Sequence, residues 1–219
     1  IVPVSTEIAA VQRLRQYIAS SYMMVVMIMF FLGIFFFLLS QSLLNLIDAA
    51  MVGHLGQTAL AGVGIGSYAN FIAVALVMGL GASVQAMVAR RRGQGLQAEL
   101  AVPLNAGLLI ALLLALPITL FGVLQAPRII ALLNNDSAVL AVAVEYFEWR
   151  VLAVLAVGLN FAFRGYWNGS HRSGVYMRTL VIMHLANVVI SYSLIHGLFG
   201  LPVMGAPGAG LGTSIALYL

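Results

Sequence analysis

Long apolar runs separated by short polar connectors organise the chain. Each complete run is long enough, at about 1.5 Å per residue, to cross roughly 30 Å of hydrocarbon as a helix. The pattern predicts five complete spans and the start of a sixth: Met23 to Val52, Leu60 to Val88, Leu104 to Val123, Tyr146 to Tyr166, Met177 to Phe199, and Ala209 onward. The sixth contains about eleven of the roughly twenty residues that a span needs, so we expect this sequence to be part of a longer polypeptide.

Only helices suit spans of this length, because every backbone polar group in lipid must be satisfied within its own segment. We therefore predict an all-α integral membrane protein, a bundle of six transmembrane helices whose sixth is truncated. Residues 1–22 are the predicted cytoplasmic lead-in, and residues 23–219 are the predicted transmembrane lobe. A short apolar piece in the third connector, between Gln125 and Tyr146, is predicted to be an interfacial helix.

Composition identifies the lipid bilayer as the solvent and partner of most of the chain. Hydrophobic residues make up 63% of it and charged residues only 7%, with a mean hydropathy of +1.07, whereas about 25% of the residues in soluble domains are charged. There is no cysteine, which excludes disulfide and thiol chemistry. The net charge of +4 comes from arginines between apolar runs, a distribution that sets topology and does not indicate nucleic-acid binding.

The arginines also predict an orientation. Most of them lie in the lead-in and in the second and fourth connectors, while Arg128 and Arg150 lie on the other side. Cytoplasmic loops are rich in Arg and Lys, so the N-terminus and the even connectors are predicted to be cytoplasmic. Glu145, Glu148 and Arg150 are predicted to form an interfacial charge group at the outer start of the fourth span.

A polar stripe interrupts the first apolar run. Asp48 follows Asn45 by three residues and Gln41 by seven, so all three share one helical face. An acid at membrane depth costs about 2.5 to 3.5 kcal/mol on insertion scales and normally faces a cavity or a partner. Desolvation disfavours the charged carboxylate, which makes Asp48 a candidate for proton exchange. The alternative is a structural role, in which Asp48 caps the last turn or bonds to a neighbouring helix.

Polar residues recur in the later spans. His184, Asn187 and Ser191 share one face of the fifth span. Asn160 interrupts the fourth span and Thr213 the sixth. Oxygen atoms of Asp48, Asn160, Asn187 and Thr213, if they converge, suit a hard cation or a proton shared with water. The alternative for each amide is an interhelical hydrogen bond without a transport role.

These residues occur within a series of segments that resembles a known family. The segments are MVGHLGQTALAGVGIG, VARRRGQG, YFEWRVLAVLAVGLN, RGYWNGSHRSG, ANVVISYSLIHGLFG and GAGLGTSIA. In this order and spacing they resemble the amino-terminal half of the multidrug and toxic compound extrusion (MATE) transporters, nearest their DinF-like branch. The resemblance covers roughly Gly33 to the end.

The resemblance implies the first lobe of a twelve-helix exporter. It implies that Asp48 couples transport to protons or sodium and that Asn160, Asn187 and Thr213 complete the cation or proton site. Gln41 falls on a position that often lines the same lobe, and we place Asn45, His184 and Ser191 with it as candidate cavity-lining residues. Branch members often carry a second acid where this chain has Ser191, which weakens the case for a two-carboxylate sodium site.

Two further departures concern helix bending. The proline that the family usually carries in its first helix corresponds to Gly33, and the proline of its fourth helix corresponds to Leu155. A mechanism that bends the first helix at proline therefore does not carry over unchanged.

Together these features predict a secondary antiporter that exports cationic or amphipathic small molecules in exchange for H⁺ or Na⁺, in a bacterial inner membrane. The missing carboxy-terminal lobe or a second copy of the chain is the expected partner, and no other cofactor is expected. One alternative is a flippase for lipids or lipid-linked oligosaccharides, and another is a structural or channel-forming protein. An intramembrane enzyme is disfavoured, since there is no paired nucleophile and base and no metal cluster.

Overall fold

A computed structural model describes 49–219 and four earlier residues, Ser21, Met23, Met24 and Ile28, which are helical. The chain divides into two compact units, Ile1–Ile47 and Asp48–Leu219. Almost all of the first predicted span therefore lies outside the described residues. The same is true of three of the predicted site residues, Gln41, Asn45 and Asp48.

Helices form nearly all of the second unit. A helical turn at 49–53 precedes six helices, numbered here in chain order: α1 (Gln57–Gly93), α2 (Ala101–Ala131), α3 (Ser137–Val151), α4 (Val154–Gly169), α5 (Ser173–His196) and α6 (Ala206–Tyr218). Short 3₁₀ turns at Gln97–Glu99 and Leu198–Gly200 precede α2 and α6. The described residues contain no strand, which confirms the all-α prediction.

Three of these helices are long and apolar enough to cross a membrane: α1, α2 with its preceding 3₁₀ turn, and α5. Large apolar side chains cover their outer surfaces, as at Leu113, Leu120 and Leu124 of α2, which are 62%, 63% and 67% exposed. Exposure of this kind is stable when the surrounding solvent is hydrocarbon. The chain is an integral membrane protein.

The prediction for the third connector is wrong, since no separate interfacial helix lies there. α2 continues to Ala131, and α3 begins at Ser137. Asp136 caps α3, and its carboxylate accepts hydrogen bonds from the backbone N–H groups of Ala138 and Val139 at 2.9 and 3.4 Å. The apolar piece that suggested an interfacial helix is thus divided between the end of α2 and the start of α3.

The fourth predicted span begins earlier than expected and is broken. α3 ends at Val151 and α4 begins at Val154, so neither piece alone has the length of a span. Side chains from other helices satisfy the carbonyls that the break leaves free. The hydroxyls of Thr119 and Tyr218 donate to the carbonyl oxygens of Val151 and Leu152, at 3.1 and 2.8 Å.

α1 packs along both α3 and α4 through closely spaced glycines. The contacting pairs are Gly62 with Val142, Gly66 with Tyr146, and Gly81 with Phe161. Each α1 glycine precedes its partner by 80 residues, so α1 runs parallel to α3 and α4. A Cβ at Gly66 would lie 2.7 Å from the Tyr146 ring. Small residues allow this backbone approach, which is the usual packing device within a membrane.

Candidate coupling and substrate site

Asn187 and Ser191 form a buried polar pair on α5. Ser191 Oγ donates a hydrogen bond of 2.8 Å to Asn187 Oδ1, and Ser191 and Asn187 are only 1% and 5% exposed. The residues are four apart, so their side chains lie on one face, as the sequence pattern predicts. The Ser191 hydroxyl thus finds its acceptor within the pair.

α6 lies directly against this pair. A Cβ at Gly212 would stand 2.6 Å from Ser191 Cα, and one at Gly208 would stand 2.9 Å from the Leu194 carbonyl carbon. Thr213, the next residue, is half-buried and donates a 2.8 Å hydrogen bond to the Ala209 carbonyl of its own helix. The glycines of α6 therefore bring Thr213 to the level of the Asn187 and Ser191 pair.

Asn160 of α4 also contacts α6, one turn beyond Thr213. Its amide nitrogen donates a 2.9 Å hydrogen bond to the Leu217 carbonyl. The contact agrees with the interhelical alternative for this amide, and it leaves the Asn160 oxygen available to a ligand. α6 thus connects the polar residues of α4 and α5, although Asn160 bonds to the backbone and not to Asn187 or Thr213.

His184 lies two turns before Ser191 on α5. It is half-buried, and its Nε2 has no hydrogen-bond partner among the residues that the structure describes. His196, at the C-terminal end of the same helix, stacks against His54 with ring centroids 5.0 Å apart and also contacts the Tyr192 ring. The two histidines of α5 therefore have different surroundings, and His184 is the one that shares the helix face of Asn187 and Ser191.

Gln41, Asn45 and Asp48, the predicted site residues of the first span, lie outside the described residues. The residues just after them are described. Val52 is fully buried in a cluster with Tyr146, Ile195 and Ala206, so the end of the first span contacts α3, α5 and α6.

Arg150 is not at the outer start of its helix, which corrects the predicted interfacial charge group. Because α3 begins at Ser137, Arg150 lies roughly 20 Å further along the helix at 1.5 Å per residue. Glu145 is exposed and Glu148 half-buried. Within residues 49–219, neither forms an ion pair with Arg150, whose Nε and Nη1 are buried without a hydrogen-bond partner.

Asn70 is a buried polar residue that the sequence pattern alone did not single out. It is 6% exposed on α1, and its Oδ1 has no partner among the described residues. Its signal in the sequence was a lone amide within an apolar run, the same signal that drew attention to Asn160.

Two contacts relate the connectors to one another. The Arg92 guanidinium, after α1, donates a hydrogen bond to the Ser170 carbonyl, after α4. At the opposite end, a Cβ at Gly205, before α6, would lie 3.9 Å from the Leu55 side chain, before α1. The second and fourth connectors therefore share one side, and the first and fifth share the other.

The chain matches a family model, MatE, over residues 34–193. It is 34% identical over 192 residues to a probable multidrug resistance protein NorM of Burkholderia pseudomallei, covering 83% of this chain and 39% of that protein. It is 32% identical over 169 residues to the protein of the same name from Bradyrhizobium diazoefficiens, covering 77% of this chain and 36% of the relative. The chain thus spans well under half the length of the curated relatives that it matches.

Solved structures share the fold. A MATE crystal structure in complex with MaD5 matches with a TM-score of 0.73 and 24% identity, over 81% of this chain and 39% of that one. A MOP superfamily transporter from Pyrococcus furiosus matches with a TM-score of 0.71 and 23% identity, over 81% and 38%. The architecture described above is therefore shared with one part of these longer solved chains.

Proposed function

Because this chain belongs to the MatE family, we propose that it is the first lobe of a secondary transporter that exports cationic or amphipathic small molecules. The family consists of transporters and not enzymes. Its curated relatives are described as probable multidrug resistance proteins. A second lobe, in the same polypeptide or supplied by another copy, completes the transporter in this proposal, since the chain covers 36% to 39% of those relatives.

The observation that best supports this proposal is the polar group where α6 meets α5. The Asn187 and Ser191 pair is buried, α6 glycines lie directly against it, and Thr213 follows at the same level. Polar groups buried at membrane depth are costly and mark ion or substrate pathways in transporters. In the proposal, Asp48 joins this group as the residue that binds H⁺ or Na⁺ in exchange for substrate.

The surroundings of Ser191 favour protons as the coupling ion. By the family resemblance, Ser191 stands where branch members often carry a second acid, and its hydroxyl is bonded to Asn187. Hard cations such as Na⁺ bind best where several oxygens with negative charge converge. A single acid with neutral neighbours is better suited to bind a proton than Na⁺. We therefore propose that the transporter exchanges H⁺ for its substrate by alternating access.

We propose a cytoplasmic N-terminus in a bacterial inner membrane, and the arrangement of the connectors supports this orientation. Arg92 bonds to the connector after α4, so the arginines of the second and fourth connectors lie together on one side. The opposite side carries Arg128 at the end of α2. Arginine is enriched on the cytoplasmic side of membrane proteins, which gives the proposed orientation.

Asp48→Asn in the intact protein tests the proposal. Proteoliposomes are loaded with ethidium, a fluorescent cation, and efflux is followed under an imposed pH gradient or an imposed Na⁺ gradient. We expect the pH gradient to drive efflux and Asp48→Asn to abolish it, since an amide does not exchange protons in this range.

Asp136→Asn is the matched control. It removes an exposed carboxylate from the loop before α3 and keeps a good helix cap, so transport is expected to continue. Normal efflux by Asp48→Asn would show that the aspartate is structural. Efflux driven only by Na⁺ would overturn proton coupling while leaving the exporter itself in place.

A further inference from the structure

The second and fourth connectors meet at a basic surface, here called the connector junction. Arg92, in the last turn of α1, donates a hydrogen bond to the Ser170 carbonyl after α4. α4 ends directly against α1, since a Cβ at Gly169 would lie 2.9 Å from Val88 Cβ. Arg172 follows Ser170 by two residues, so their Cα atoms lie within about 7 Å of one another. The junction contains four arginines: Arg90, Arg91, Arg92 and Arg172.

Most acids of this sequence lie far from the junction. Those of α3 end with Glu148, which the 80-residue offset places level with position 68 of α1. That position is roughly 33 Å from Arg90 along the helix, at 1.5 Å per residue. Asp136 caps the start of α3, at the opposite end of the bundle from the junction. Asp48 directly precedes the turn that leads into the first connector, which also lies on the opposite side.

Positive charge at the junction therefore exceeds the negative charge that this sequence brings to it. Glu99 lies there, with its Oε2 4.0 Å from Arg91 Nε. The other acid on the same side of the predicted topology is Glu7, in the lead-in. Two acids against four arginines leave at least two positive charges, and the lead-in adds Arg13 and Arg15.

The junction lies at the depth of the lipid headgroups. The apolar run of α1 ends at Val88, just before Arg90. On α4, the rings of Tyr166 and Trp167 contact one another immediately before the fourth connector, with centroids 5.0 Å apart. Tyr and Trp are enriched where a membrane meets water, which agrees with this depth.

Each exposed arginine of the junction has an exposed apolar side chain one turn deeper in the membrane. Met87, three residues before Arg90 on α1, is 44% exposed. Val175, three residues after Arg172 at the start of α5, is 37% exposed. α1 leaves the membrane at Arg90 and α5 enters it after Arg172, so both apolar residues lie on the hydrocarbon side. A cation above an apolar surface matches a phospholipid, whose phosphate stands above its acyl chains.

We propose that the connector junction binds the headgroup of an anionic phospholipid. Arg90 and Arg172 donate charge-assisted hydrogen bonds to the phosphate, and the acyl chains lie along Met87 and Val175. A soluble phosphate would use the arginines but not the apolar residues below them. The inference goes beyond the proposed function, because this lipid stays bound at the protein surface and is not exported.

Competition between two lipids for the intact protein tests the site. The protein in detergent micelles is incubated with equal amounts of phosphatidylglycerol and phosphatidylcholine that have the same acyl chains, and bound lipid is counted by native mass spectrometry. Both headgroups contain a phosphate, but phosphatidylcholine has no net charge. We expect phosphatidylglycerol to be retained at least about fivefold more than phosphatidylcholine, the effect of one arginine near an anionic headgroup. Equal retention would overturn the proposal, and this outcome needs no variant to fold.

Variants assign the preference to the junction. Arg90→Gln and Arg172→Gln remove exposed side chains, so the fold should tolerate both changes. Each is expected to lower the ratio of the two lipids, and the double variant is expected to bring it to about one. Arg128→Gln is the matched control, since it removes an exposed arginine from the opposite end of α2, and it should leave the ratio unchanged.

Two further outcomes would contradict the site. An equal fall of the ratio in all three single variants would show that net charge is responsible and not the junction. An unchanged ratio in the double variant would show that the lipid binds elsewhere. Since no gradient is applied and micelles have no sides, neither result depends on the proposed transport or on the orientation of the chain.

Discussion

α1 and α6 both pack on the broken helix pair α3 and α4, but close glycine contacts predominate on the α1 side and side-chain hydrogen bonds on the α6 side. On the α1 side the contact consists mainly of glycines against backbone and apolar side chains, as where a Cβ at Gly169 would lie 2.7 Å from the Gln85 carbonyl oxygen. One side-chain hydrogen bond, from Ser67 Oγ to the Tyr146 hydroxyl at 3.1 Å, adds to it. On the α6 side one glycine, Gly210, approaches the Tyr146 carbonyl, and three hydrogen bonds join side chains to backbone carbonyls. Their partners are Ser214 with Trp149, Asn160 with Leu217, and Tyr218 with Leu152.

The difference separates a fixed contact from one that can be exchanged. Interlocked backbones have no second arrangement of equal energy, because a shift along the helix would place a larger residue where glycine is needed. A hydroxyl bonded to a carbonyl can find another partner or water at a net cost of about 1 kcal/mol. If the lobe changes shape during transport, we expect α6 to move relative to α3 and α4 while α1 stays with them.

Gly165→Ala, on the α1 side, should have the largest effect on stability. A Cβ there would overlap the Gly81 carbonyl oxygen and lie 3.0 Å from the Gln85 backbone nitrogen, so the two helices would have to separate. We expect a loss of about 2 to 3 kcal/mol in the free energy of unfolding, measured in detergent by denaturant titration.

Gly79→Ala is the control for this substitution. Nothing lies within 4 Å of a Cβ at Gly79 on α1, so the change should be neutral or should stabilise the helix by up to about 1 kcal/mol. Equal effects of the two substitutions would show that the α1 contact is not closely packed at Gly165.

Ser214→Ala, on the α6 side, should cost less, about 1 kcal/mol, because it removes one hydrogen bond to the Trp149 carbonyl. Ser83→Ala removes a hydroxyl that bonds only to the Gly79 carbonyl of its own helix, so it should change the unfolding free energy very little. The difference between the two variants measures the interhelical bond. A larger loss for Ser83→Ala would contradict the proposed role of α6.

Tyr218→Phe should have the smallest effect, because the residue is 54% exposed and its phenol forms a single bond to the Leu152 carbonyl at 2.8 Å. We expect a loss of about 0.5 kcal/mol. Tyr68→Phe serves as the comparison, since Tyr68 is similarly exposed on α1, at 58%. An effect of Tyr218→Phe as large as that of Gly165→Ala would remove the distinction between the two contacts.

The sequence pattern predicted much of the fold but only part of the candidate site. It indicated the all-α class, the membrane setting and the shared face of Asn187 and Ser191, because apolar run length and helical periodicity are local properties. It placed Arg150 at the wrong depth, because the apolar piece before Tyr146 was assigned to a separate interfacial helix, whereas α3 begins at Ser137 directly after the Asp136 cap. Asp48, on which the coupling proposal depends, lies outside the described residues, so its role stays a prediction.

The sequence alone determined that this protein is helical, that lipid surrounds it and which spans contain polar residues, because each follows from composition and spacing within one segment. Only the tertiary structure decided which residues meet. The meeting of the second and fourth connectors depends on Gly169 fitting against Gln85 and Val88 of α1. The placement of Thr213 beside the Asn187 and Ser191 pair likewise depends on Gly208 and Gly212. Such fits join residues far apart in the chain, and no local pattern encodes them.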